Sequence, residues 1–391
     1  MIRYLTAGES HGEALIGIVE GMPAGVQLEP QDIDLHLARR WQGYGRGGRS
    51  KFETDRIHIY SGVRFSRTMG SPIAMRLDNA AYTRDRSGWP EVMAISGPVP
   101  EVEKITLPRP GHADLAGLQK YRFDDIRPVI DRASARETAM RVACCTTARQ
   151  LLRQLGIEIG SHVVRLGEVG FEDPDEWSER VELLIAGGAE KLFEEADRSE
   201  VRMLDEEMSR RCIEHIDEVK KRGDSLGGIY EVVVTGVPPG LGSYVQWDRR
   251  LDGQLAHAIM SIQAQKAVEI GDGVLAASRP GSRVHDEIVL DDSGLRRRSN
   301  RAGGVEGGMS NGMPIVVRGY MKPIPTLIKP LETVDIASGE SRPTRYERSD
   351  VTSVPAASTV AEATVAVVLA NAFLEKYGGD SLEEIREHLD R

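Results

Sequence analysis

The chain has 391 residues, a net charge of −10, 41 glycines and only 5% aromatic residues. That length buries a large core without disulfides or metals, and its three cysteines, Cys144, Cys145 and Cys212, make neither a disulfide framework nor a C-x-x-C pair. The acidic balance argues against a nucleic-acid coat; with no basic and apolar leader pattern and no apolar run near ~18 residues, the expectation is a cytoplasmic protein that does not cross a membrane.

In chain order, Pro30 to Trp41 reads as a helix, with Ile33, Leu37 and Trp41 at four-residue spacing. Arg56–Val63 and Ile73–Leu77 alternate like half-buried strands. Ser134 to Leu155 reads as one long Ala-rich helix ending at Gly156. Ile157–Val169 and Ile229–Val237 read as strands. Between them, Val201, Leu204, Met208, Cys212, Ile216 and Val219 mark an amphipathic helix. The surrounding segment, 172–223, holds 17 acidic against 9 basic side chains, so most of the net charge sits there. It reads as an acidic helical insertion on the edge of the main body, solvated and without a function of its own.

Leu251 to Ala267 reads as a further helix, and Thr359 to Tyr377 as another, closed by Gly378-Gly379. Ser381-Leu382-Glu383-Glu384 is a capping box that opens a last short one. Strands and helices do not alternate one for one, so a doubly wound parallel sheet is disfavoured. The expected class is α+β with antiparallel sheets; length alone would allow two or three domains.

Several loops carry chemistry. Gly8-Glu9-Ser10-His11-Gly12 and Arg109-Pro110-Gly111-His112-Ala113-Asp114 each place a histidine among small residues. Two loop histidines beside many loop arginines point to acid–base work on an anionic substrate, although either alone reads as an ordinary polar residue. Residues 39–51, from Arg39-Arg40 through Arg46 and Arg49 to Lys51, hold five cations and no acid. Arginine forks on a glycine-rich loop suit phosphate or carboxylate, and a solvated basic loop is the plain alternative. Gly43, Gly45 and Gly48 satisfy G-x-G-x-x-G but follow a helix and open none, so a dinucleotide fingerprint is rejected. Arg132-Ala133-Ser134-Ala135-Arg136 at the start of the long helix makes an anion site or a Ser134 N-cap. Gly303–Gly312 with Lys322-Pro323-Ile324-Pro325-Thr326 suits a flat ring beside a stiff wall, or tight turns. In Arg348-Ser349-Asp350, Asp350 is either a base or half of an ion pair. A flavin or NADPH oxidoreductase and an RNA-binding protein are competing readings of these arginines. The first predicts lasting flavin oxidation, the second steep salt dependence.

Taken together these blocks resemble chorismate synthases. Gly8–Gly12 through Glu20-Gly21-Met22-Pro23, Arg39–Gly47, Arg109–Asp114, Arg132–Thr138 and Arg348–Asp350 with Val354-Pro355-Ala356-Ala357 are similar to that family's signatures and stand in its order. Trp41, Ala80-Ala81 and Cys144-Cys145 depart from its usual residues. The resemblance implies helices sandwiched between antiparallel four-stranded sheets, a single catalytic domain over 1–391, a homotetramer, and a lyase of the shikimate pathway to aromatic amino acids. The reaction it implies is an anti-1,4-elimination of phosphate from 5-enolpyruvylshikimate 3-phosphate, giving chorismate and requiring reduced FMN (FMNH2) without net redox change. NADPH or an external flavin reductase would supply the electrons. By motif match, His11 protonates the departing phosphate. His112 holds a proton near the flavin, and Asp350 assists removal of the C6 hydrogen through it. Arg40, Arg46, Arg49, Arg109, Ser134 and Arg136 hold substrate. Arg132, Ala133, Ser134, Gln263, Ala264, Gly307, Lys322, Pro323, Ile324, Pro325, Thr326 and Arg348 hold FMN. No metal is implied.

Overall fold

A computed structural model describes residues 1–46, 54–84, 89–98, 101–171, 175–291, 294–345 and 350–390. The strand Ala14–Glu20 shows why one sheet has a wet and a dry face: Leu15, Gly17 and Val19 alternate with outward residues, and Leu15 and Val19 are sealed. It pairs antiparallel with Arg3–Ala7 on one side and Ile73–Asp78 on the other, and Ile57–Ile59 completes a four-stranded sheet.

The second sheet is also antiparallel. Its order is Gln265–Ile270, Ile315–Met321, Gly228–Thr235, Glu158–Leu166 and, at the edge, the two-residue strand Val169–Gly170, so it has five strands rather than the four implied by the resemblance. Glu158–Leu166 and Gly228–Thr235 are buried along nearly their whole length, which requires cover on both faces. The helices Glu137–Arg153 and Val354–Tyr377 lie against one another, the former reaching the first sheet and the latter the second. Val354–Tyr377 is apolar all round and mostly buried, as a helix between two layers must be. By composition it is long enough to cross a bilayer, but 78% of its apolar window is packed inside the protein.

The other face of the second sheet is covered by the acidic segment. Trp177, Val181, Leu192, Ala196 and Leu204 form a cluster with Val164 and Val233 of the two central strands. The segment is therefore a layer over the sheet rather than an addition at its edge.

Several boundaries differ from the sequence reading: the expected strand Arg56–Val63 is Ile57–Ile59 with a separate Val63–Arg64, and Ile157–Val169 is Glu158–Leu166 with a separate Val169–Gly170. The expected helix Ser134–Leu155 is shorter, Glu137–Arg153, because Ser134 takes an extended backbone (φ −61°, ψ 142°) just after a separate first helix, Arg127–Ala133. Ser134 consequently caps no helix start. Arg132 lies in the last turn of the first helix. The helix expected to run from Leu251 to Ala267 stops at Met260; Ala264 adopts a left-handed φ of 67°, and Gln265 begins a strand. The amphipathic helix begins at Glu206, capped by Asp205, whose carboxylate accepts the Met208 N–H at 2.8 Å, so Val201 and Leu204 precede it. The C-terminal long helix starts at Val354, five residues earlier than expected, with Pro355 in its first turn where a missing N–H costs nothing.

Candidate active site

His11 lies on the loop between the first two strands. Its Nδ1 meets the buried Asp131 Oδ1 at 2.6 Å, and its ring stacks on Trp89 with centroids 4.0 Å apart. The Ser10 N–H donates to the Asp131 carbonyl at 3.0 Å. Asn79 donates its side-chain amide to the carbonyls of Glu9 (3.1 Å) and Gly12 (2.8 Å). The loop is thereby fixed at three points, and an imidazole with Nδ1 on a carboxylate presents Nε2 for chemistry.

Arg132 ties the same loop to the helix end, donating to the Gly8 carbonyl (3.1 Å) and to the carbonyl and hydroxyl of Thr6 (3.0 and 3.1 Å). The Thr6 hydroxyl donates to Glu137 Oε1 at 2.9 Å, and Gln263 Nε2 donates to Glu137 Oε2 at 3.2 Å. The next residue, Ala264, accepts the Lys322 N–H at 3.0 Å. Lys322 Nζ in turn donates to the Gly111 carbonyl at 3.0 Å. The His11 loop is thus continuous with the His112 loop through the residues expected to hold the flavin.

The His112 loop is an ion cluster. Arg109 donates to Asp114 Oδ2 from its backbone (3.0 Å) and Nε (2.8 Å), and to Thr326 Oγ1 from Nη1 (3.1 Å). His112 Nδ1 lies on Asp114 Oδ1. Burial alone would raise the Asp114 carboxyl, but its hydrogen bonds from His112 and Arg109 hold it well below the usual carboxylate range.

A third group gathers around Trp41. Asp55 accepts from Arg136 Nη1 on both oxygens (2.8 Å each), from Arg40 Nη2 (3.3 Å) and from Trp41 Nε1 (2.5 Å). The guanidiniums of Arg40, Arg136 and Arg46 lie 4.5, 5.6 and 5.7 Å from the Trp41 ring. Two cations on one carboxylate leave a positive excess, and burial lowers the Arg40 guanidinium to about 10. Arg136 Nε also donates to Asn79 Oδ1 at 2.8 Å, linking this group to the His11 loop. Arg46 pairs with Asp350 at 2.9 Å.

Of the expected substrate ligands, Arg40 and Arg136 are therefore buried and turned onto Asp55. Arg109 is held by Asp114, and Ser134 Oγ accepts the Arg136 N–H at 3.3 Å. Arg46 stands with Asp350. Arg49 and Arg348 lie outside the described residues. Of the expected flavin ligands, Arg132, Ala133, Ser134, Gln263, Ala264 and 322–326 belong to one connected region. Gly307 does not join it within this chain. It sits beside Gly308, whose carbonyl accepts the Leu251 N–H at the start of helix Leu251–Met260, while Gln263 follows that helix's far end. Ten residues of helix separate the two by about 15 Å.

Sequence reasoning missed Asp131, Asp55, Asn79, Glu137 and Trp89. Asp114 was quoted with its loop but given no role. None carries a local signal except Asp114, two residues from His112.

The family model for chorismate synthase matches residues 2–374. The chorismate synthase of Salinibacter ruber is 68% identical over 396 residues, covering 100% of this chain and 98% of that relative. The chorismate synthase of Chlorobaculum tepidum is 59% identical over 393 residues, covering 100% and 97%. A solved crystal structure of chorismate synthase superposes with a TM-score of 0.78 at 42% identity, over 100% of this chain and 96% of that one. With the blocks around His11, His112 and Asp350 assembled in one fold and these relatives spanning its full length, the chain belongs to the chorismate synthase family.

Proposed function

We propose how this lyase's residues divide the elimination of phosphate from 5-enolpyruvylshikimate 3-phosphate, with reduced FMN as cofactor. The observation that carries the reading is the unbroken run of contacts from His11–Asp131 through Arg132, Thr6, Glu137, Gln263 and Lys322 to Gly111 and His112. His11, steadied by Asp131 and Trp89, presents Nε2 as the proton donor to the phosphate leaving C3. His112, held on Asp114, keeps a proton beside the cofactor region. Asp350 assists loss of the C6 hydrogen, with Arg46 keeping it oriented. The phosphate and the two carboxylates of the substrate meet the positive excess around Asp55, where Arg40 and Arg136 act by their field and Arg46 and Arg49 by contact.

The residues fit a flavin. Gln263 Oε1 is buried with no partner among the described residues, an acceptor awaiting an N–H donor, and Arg132 and Lys322 supply cations within the same connected region. Arg132, Ala133, Ser134, Gln263, Ala264 and Lys322, Pro323, Ile324, Pro325 and Thr326 would hold the group. When bound, reduced FMN supplies electron density while phosphate departs and ends the cycle in the redox state in which it began.

The test is anaerobic turnover with FMN oxidised or chemically reduced, following phosphate and chorismate. Equal release of both products, only with reduced FMN and over many turnovers per flavin, is the expected result. Turnover with oxidised FMN overturns the cofactor assignment, and no turnover in either state overturns the reading as a whole. Repeating the assay with NADPH and oxidised FMN, with and without an added flavin reductase, identifies the reductant. A cytoplasmic homotetramer completes the reading. Supporting self-association, Leu5, Ile16 and Ile18 are exposed on the outer face of the first sheet, Leu5 directly opposite Ile18. Sedimentation at a fourfold monomer mass is expected.

A further inference from the structure

The acidic segment reaches past the sheet to the glycine-rich arginine loop. The Tyr44 N–H donates to the Glu200 carbonyl at 2.8 Å, and the Tyr44 hydroxyl donates to both Asp217 oxygens at 3.1 Å. Asp217 lies on helix Glu206–Lys221, one residue after Ile216. Ile216 also touches the loop: a Cβ at Gly45 would come 2.9 Å from its Cγ2, and Gly45 has φ +79°, so only glycine lets the loop lie this close. Three residues before Glu200, the segment's Asp197 pairs with Arg39 at 2.6 Å.

From Tyr44 the path to the reacting groups is short. The Gly45 carbonyl accepts the Val351 N–H at 2.9 Å, which sets the loop segment carrying Asp350 beside the loop carrying Arg46. Arg46 Nη1 then meets Asp350 Oδ2 at 2.9 Å. Ser353 Oγ donates to the same Asp350 oxygen at 3.3 Å. The Tyr44 hydroxyl is the donor to Asp217, and that hydrogen bond raises its pKa above the ordinary tyrosine value.

We propose that the acidic segment is a positioning element of the reaction site: Asp217 and the Glu200 carbonyl grip Tyr44 and thereby fix the Arg46–Asp350 pair. Tyr44 and Asp217 are positioning residues, acting through Arg46, and the inference rests on the elimination reading above.

The experiment is a double-substitution cycle in the full-length holoenzyme, using Tyr44→Phe, Asp217→Ala, Arg46→Ala and their combinations. Tyr44→Phe keeps the ring and removes only the hydroxyl. It is expected to lower kcat/KM about 10-fold, since small displacements of a reacting group are costly. Asp217→Ala gives the same loss, the pair together loses no more than either alone, and Asp217→Asn, which retains an acceptor oxygen, restores most of it. In an Arg46→Ala background, Tyr44→Phe costs nothing further. Hydrogen exchange of the Val351 amide, which reads the loop contact without any turnover, quickens in Tyr44→Phe and Asp217→Ala. Parental kinetics with parental Val351 exchange in Tyr44→Phe, or a full additional loss in the Arg46→Ala background, would overturn the proposal. A parent enzyme that turns nothing over, with Val351 exchange still responding to Tyr44→Phe, would instead sink the elimination reading and leave the grip intact.

Discussion

His11 is useful only as far as Asp131 holds it, because its loop imidazole, with 27% of its side chain exposed, is anchored among the described residues by this carboxylate and the Trp89 face. Asp131→Asn replaces a charge-assisted hydrogen bond with a neutral one. Turnover is expected to fall roughly 100-fold, with flavin binding little changed, as measured by kcat and by flavin titration; an unchanged kcat removes Asp131 from the mechanism. His11→Ala should fall at least as far. The two histidines were legible because small, flexible neighbours mark them. Their carboxylates were legible to different degrees. Asp114 is two residues from His112, whereas Asp131 is 120 residues from His11, and nothing near it in the sequence distinguishes it from a surface acid. Glu137 and Asp55 are hidden for the same reason. Arg40 and Arg136 show the converse: sequence shows a cation and its loop, but not the buried carboxylate that turns it away from solvent.

At the scale of elements, amphipathic period located Pro30–Trp41 correctly, because one face of that helix is dry and the other wet. It failed where a helix is buried all round or where a turn interrupts an Ala-rich run, as at Ser134 and Gln263-Ala264. The acidic segment was misjudged for an electrostatic reason. Its surface charge is visible in composition, while its inward contribution is a few residues. Arg202 and Asp197 enter a buried cluster in which Glu362 accepts from Arg39 Nη1 and Arg149 Nη1 at 2.6 Å each, and from Ser161. Burial would raise the Glu362 carboxyl, but Arg39 and Arg149 hold it far below its ordinary range. Glu362→Leu leaves these guanidiniums without their common partner and is expected to cost about 3–5 kcal/mol, measured by urea unfolding. The Cys144 departure has a packing meaning. A Cβ at Gly17 would lie 2.5 Å from Cys144 Sγ and Met140 Sδ, so the sheet and helix Glu137–Arg153 touch through a missing side chain. Gly17→Val should cost roughly 1–3 kcal/mol through overpacking.

For the whole molecule, acid stability is set by buried carboxylates. Glu231 accepts from Arg318 Nε at 2.7 Å and lies 3.1 Å from His162 Nε2. Burial pushes its pKa up, but Arg318 and then His162 outweigh that and bring it from 4.5 down to about 2. The unfolded chain takes up a proton at Glu231 near pH 4.5 and the folded one does so only near pH 2, so unfolding gains ground as acid is added between these values. About 3 kcal/mol of stability present above pH 4.5 should disappear across that window. Urea midpoints taken in steps of pH check this, and Glu231→Gln should be less stable at neutral pH and flatter in acid. The α+β class was legible because helices and strands fail to alternate. The layering was not derivable from periodicity alone, since whether a strand such as Glu158–Leu166 is covered on one face or two depends on helix Val354–Tyr377, far along the chain, as well as on the acidic segment that follows the strand.

The stacking of Trp89 on His11 makes proton inventory an optical quantity. A charged imidazolium quenches an indole in face-to-face contact more than a neutral ring does, and only four tryptophans contribute to emission. One component of the fluorescence should therefore depend on the charge of the stacked ring and vanish in Trp89→Phe. Followed in a stopped-flow trace, that component would date the moment at which the proton leaves the imidazole, independently of any signal from product.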